Sequence, residues 1–173
     1  MSRDLRTLRG ICGHLAVPQP FDLGQFAGAV SEQRRRPVQL LDLPPAARGQ
    51  LSGAWIATGD TDVIFLDPDA SPFNRDIIGL HEFGHLLCAH PADPAWDEAL
   101  LTVLLPGLSA AAVRHMRGRH GYPCGTGDEE REAELIASLI LARANTGPAA
   151  DLASSSALMP RLSEALRHPV RHV

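Results

Sequence analysis

The segment His81-Glu82-Phe83-Gly84-His85 carries the clearest chemistry in this chain. On a helix, residues i and i+4 share a face one turn apart, so both imidazoles can reach one metal ion. Tetrahedral zinc takes imidazole nitrogens at about 2.0–2.1 Å, which this spacing permits. Glu82 points about a quarter-turn aside, where it can reach a water at the open coordination position and act as general base without being a ligand. In a chain of 173 residues with 8 His, chance would produce this pattern about 0.02 times, so coincidence is set aside.

A catalytic metal needs a third protein ligand. The acidic run Asp128-Glu129-Glu130-Arg131-Glu132-Ala133-Glu134 is the best source. Helical periodicity aligns Glu130 with Ala133, Ala137 and Leu141, and Glu132 with Leu135, Ile136 and Leu139. Both carboxylates stay open on that basis, although small alanines beside Glu130 would let its helix come close to the helix bearing the histidines. His90, Tyr122 and His115 are candidates for supporting the metal ligands or stabilising an oxyanion, with His120 beside them. Cys88 reads as a buried apolar side chain, and Cys124 as packing within a glycine-rich loop. His168 and His172 have ligand spacing, but Pro169 between them breaks the helix that would align them. Arg34-Arg35-Arg36 suits a helix C-terminus and solvent, or an acidic partner.

These groups need elements to hold them. A short helix around Leu5, Leu8 and Ile11 ends at Pro18 and Pro20. Asp22 caps a helix to about residue 35 with Leu23, Phe26, Ala27 and Val30 on one face. A strand follows at 38–43, then strands at 51–58 and 63–67 around Gly59-Asp60-Thr61-Asp62, a hairpin signal. Either of these last two could present an edge to an extended substrate. Ser71-Pro72 starts the helix at 72–89 that carries the histidine pair. Residues 95–118 read as a loop and two short helical pieces, and 120–127 as a loop. Thr126 and Glu129 form a capping box opening a helix to about residue 145. A last helix spans about 159–167. The result is an α+β fold with about three strands, read as a single domain over 1–173, with helical extensions at 1–20 and 146–173.

Composition narrows the class. The chain is 45% hydrophobic and 21% charged with net charge -4, ordinary for a folded domain and without the broad basic face of a nucleic-acid binder. All 16 positive residues are Arg, so Schiff-base lysine chemistry and a Walker-type phosphate lysine are excluded. Three cysteines without paired spacing point to a reducing compartment, and the expectation is a cytoplasmic protein without membrane contact. Nothing in the pattern specifies a homo-oligomer.

HEFGHLLCAH, followed about 45 residues later by EREAELIASLIL, resembles the ImmA/IrrE family of small metallopeptidase-like proteins, which are zincin relatives. His81, Glu82, His85 and the trailing His90 match the first part of the family pattern. Glu130, Ala133 and Ala137 match the second, which implies Glu130 as third ligand. The resemblance covers most of residues 20–145. Glu134 stands where the family usually has Asn or Asp, and Leu141-Ala142-Arg143 replaces a common Leu-Met-Pro ending. What it implies is a zincin-like fold with a small three-stranded, mainly antiparallel sheet packed on helices and the histidine motif on a central helix. It further implies a zinc endopeptidase that cleaves one intracellular regulatory protein, often a helix-turn-helix transcriptional repressor. Mn2+ or Fe2+ would suit the same ligands. The alternative is a non-proteolytic regulator or toxin-like binding partner with a structural metal, and a weaker one is another metal-assisted hydrolysis.

Overall fold

A computed structural model describes residues 3–91, 98–105, 117–120 and 127–146. The expected helix at 159–167, the Thr126 cap and the side chains of His115, His120, Tyr122, Cys124, His168 and His172 lie outside the described residues.

Helices α1 (Leu5–Gly13) and α2 (Leu23–Arg34) lead into strand β1 (Val38–Asp42). Both helices start on an aspartate whose carboxylate accepts a backbone N–H three residues on, Asp4 from Thr7 and Asp22 from Gln25, satisfying an end donor that the helix itself cannot. α2 buries Leu23, Phe26, Ala27 and Val30, the expected face. α1 instead buries Leu8 and Cys12 and leaves Leu5 exposed, because its inner side turns toward the helix at Gly127–Thr146.

A short 3-10 turn at Pro45–Ala47 precedes β2 (Gly53–Ala57) and β3 (Asp62–Leu66), the antiparallel hairpin. Helix α3 (Pro72–Leu87) follows, then α4 (Glu98–Leu104), β4 (Arg117–His120) and α5 (Gly127–Thr146). The sheet order is β1-β3-β2-β4, with only the β1–β3 pair parallel. The sheet is therefore mainly antiparallel but has four strands where three were expected. Arg-Gly-Arg-His at 117–120 has no strand-forming composition, and its extended state comes from pairing with β2. The edge role expected for β2 or β3 is also corrected, since both lie inside the sheet; β1 and β4 are its outer strands among the described residues.

Both faces of the hairpin are covered. Trp55, Ile64 and Leu66 pack with α1, α2, α3 and α5, while Ala54, Ile56, Val63 and Phe65 pack with Leu43, Leu51, Leu101 and Leu104. Two-sided burial explains why these strands read as continuous apolar runs rather than alternating ones. Among the described residues no helix is long and apolar enough to cross a membrane.

Candidate metal centre

Helix α3 carries the histidine motif on its buried side. Ser71 caps its start and Pro72 occupies the first turn. Ile77, Ile78, Leu80, Phe83 and Leu86 bury it, which draws His81, Glu82 and His85 inside with them at 1%, 0% and 0% exposure. Two glycines decide how close its neighbours come. A Cβ at Gly53 of β2 would stand 2.5 Å from Ile78 Cγ2 and 3.1 Å from Glu82 Oε1, so the bare backbone makes room for the glutamate. On the opposite flank Gly84 lets α5 come against α3.

That approach brings Glu130 to the histidines. His81 Nε2 and His85 Nε2 lie 2.9 Å apart, and Glu130 Oε2 lies 3.3 Å from the first and 3.6 Å from the second. Ligands held at about 2.0–2.1 Å around a tetrahedral ion stand roughly 3.4 Å from one another, and these separations bracket that value. His81, His85 and Glu130 are thus close enough to hold a metal ion. The donor set, two imidazoles and one carboxylate, suits a divalent transition metal. His81 Nδ1 is buried with no hydrogen-bond partner among the described residues, so every polar contact of the ring is made through Nε2, the nitrogen that faces His85 and Glu130. Burial alone would raise the Glu130 carboxyl, but its contacts with the His81 and His85 imidazoles outweigh it and hold the group below the usual carboxylate range. Burial disfavours a charged His81, while Glu130, Glu82 and Glu134 together tip it upward.

The other carboxylate goes elsewhere. Glu132 is 2% exposed and faces His90, whose Nε2 is 3.1 Å from Glu132 Oε2. His90 Nδ1 in turn lies 2.9 Å from His85 Nδ1. The helix end makes this possible. Ala89 adopts φ 49, its N–H donates to Leu86 O, and His90 N–H donates to His85 O. This paired closure is a Schellman motif, with Ala at the position usually given to Gly. It folds the chain back so that His90 lies behind His85, not at a solvated helix terminus. Cys88 is 1% exposed within the core, and burial pushes its thiol up to about 11. Its sulfur also lies within 4.8 Å of ligand atoms of His90 and Glu132.

One participant is invisible in the sequence. Arg3 donates its backbone N–H to Glu132 Oε1 and its Nη1 to Oε2, both at 2.5 Å, and its Nη2 to the Cys88 carbonyl at 2.7 Å. No motif or spacing singles it out from the chain's other arginines. Two residues of the triple arginine also find a partner within the chain. Arg36 Nε and Arg34 Nη1 lie 2.9 and 3.1 Å from Asp62 Oδ2.

The chain matches no protein-family model, no curated protein and no solved structure.

Proposed function

We propose that this protein is a zinc-dependent endopeptidase of the ImmA/IrrE type, acting on one intracellular regulatory protein, a helix-turn-helix repressor by the family resemblance. The observation that carries this reading is the meeting of Glu130 with His81 and His85 from a helix 45 residues further on, beside an intact Glu82. His81, His85 and Glu130 would hold the ion, and zinc fits two imidazoles and a carboxylate, with Mn2+ or Fe2+ as alternatives. A bound zinc ion supplies Lewis acidity, which makes water more acidic and a peptide carbonyl more electrophilic. Glu82 takes a proton from the attacking water and delivers it to the leaving amide nitrogen as the C–N bond breaks. A side chain at position 53 would crowd the Glu82 carboxylate. The oxyanion candidates Tyr122 and His115 lie outside the described residues.

Elemental analysis of the purified chain tests this reading. About one zinc per chain in the wild type, lost in Glu130→Ala and in His85→Ala, supports the ligand set. Wild type that binds no metal when zinc is supplied defeats it. A second reading, a structural metal in a protein that works by binding, is favoured by the complete burial of Glu82. Glu82→Gln separates the two. Metal retained with cleavage of the cognate regulator lost supports the peptidase, and regulation unchanged in that variant supports binding alone.

A further inference from the structure

We infer that His90 and Glu132 are positioning residues for His85, closing with Arg3 a hydrogen-bonded chain that sets which nitrogen of His85 faces the metal position. The inference rests on the reading of His81, His85 and Glu130 as metal ligands and asks what orients one of them.

Proton assignment runs one way along the chain. Glu132 faces the Arg3 guanidinium and accepts two hydrogen bonds from Arg3. An ionised carboxylate only accepts, so the 3.1 Å contact with His90 Nε2 makes that nitrogen the donor. A His90 that carries only this proton presents a lone pair at Nδ1. The 2.9 Å contact between His90 Nδ1 and His85 Nδ1 therefore requires the proton to sit on His85 Nδ1. The lone pair of His85 is left on Nε2, the nitrogen that meets His81 Nε2 and Glu130. Reversing every proton would put a hydrogen on Nε2 and bar His85 from the metal. His85, His90 and Glu132 are all buried, at 0%, 5% and 2% exposure. A carboxylate or carbonyl behind a metal-bound imidazole commonly has this role; here a second histidine is inserted between them.

Cys88, His90 and Glu132 are also near enough to hold an ion of their own. Arg3 argues against that use. Its guanidinium, 2.5 Å from Glu132 and 2.7 Å from the Cys88 carbonyl, sets a fixed positive charge on the same carboxylate that a second cation would need.

The test is zinc titration of the full-length apo chain against a competing chelator, with wild type, His85→Ala, His90→Phe and Glu132→Gln. One equivalent is expected in the wild type, lost in His85→Ala and weakened about 10–100-fold in His90→Phe and Glu132→Gln. Wild-type affinity in both positioning variants, with His85→Ala still dead, overturns the inference while leaving the metal site standing. No binding in the wild type, or full binding in His85→Ala, defeats the ligand reading itself. A second equivalent that Cys88→Ser removes would make His90 and Glu132 ligands and overturn the positioning role. Because the variants risk misfolding, the zinc-loaded wild type is also examined by long-range 1H–15N imidazole spectra. The expected pattern is a protonated Nδ1 on His85 and a protonated Nε2 on His90. A protonated Nδ1 on His90 overturns the inference directly.

Discussion

Gly84 and Ala133 meet backbone to backbone. A Cβ at position 84 would stand 2.6 Å from both the Cα and the carbonyl oxygen of Ala133, a distance that no rotamer change relieves because the obstruction is main chain. The contact lies where α3 crosses α5, with the histidines on one helix and Glu130 on the other.

Gly84→Ala should therefore part the two helices. We expect a loss of about 1–3 kcal/mol from overpacking, read by denaturant unfolding, together with weaker metal binding, read by zinc titration. A variant with wild-type stability and affinity would show that the crossing tolerates a methyl group and does not set the distance between Glu130 and the histidines.

The distance between what was legible in the sequence and what was not follows the range of the interactions. The helix of the histidine motif, the Asp22 cap, the buried face of α2 and the hairpin all rest on contacts within a few residues, and all appear. The choice between Glu130 and Glu132 did not follow from periodicity. α5 is buried around most of its girth, with Glu132, Ala133 and residues 136–142 all inside, so an apolar stripe cannot mark its inner face. Glu132 can be inside because Arg3, 129 residues away, is paired with it. β4 was missed for the same reason, since its partner β2 is remote and its own four residues carry no strand signal.

Asp62 is a second buried charge with identified partners. It is 1% exposed and accepts from Trp55 Nε1 at 3.1 Å and Arg36 Nε at 2.9 Å, with Arg34 beside it. Asp62→Ala should cost about 2–3 kcal/mol in urea unfolding, less than for a fully enclosed pair because both arginines keep contact with water. A cost below about 0.5 kcal/mol would mean that the cluster is solvated in solution.

Acid should weaken the fold through Glu132. Burial raises its carboxyl, but the Arg3 backbone N–H, His90 and the Arg3 guanidinium prevail and bring it down to about 2 from 4.5. A folded-state pKa below the unfolded one stabilises the protein above about pH 4.5, and that stabilisation drains away as pH falls toward 2. Thermal melts across this range should show wild type and Glu132→Gln converging as the pH drops. A gap between them that stays constant would contradict the assignment.

Cys12 and Cys88 should be poor nucleophiles. Burial pushes Cys12 up to about 12, against a smaller opposing pull from Arg143, and Cys88 up to about 11. Iodoacetamide labelling near neutral pH, mapped by mass spectrometry, should modify both at least about 100-fold more slowly in the native protein than in guanidinium chloride. Fast native labelling of Cys88 would mean that the region around Arg3 and the end of α3 opens in solution.

The 45 residues that separate His85 from Glu130 also order events on the ribosome. At roughly 5–20 residues per second, the carboxylate is synthesised about 2–9 s after the histidine pair. During that interval the proposed site consists of His81 and His85 without its carboxylate. The proposed three-ligand site exists only after α5 has been made and has docked on α3, so on that proposal metal capture becomes a late event in biogenesis.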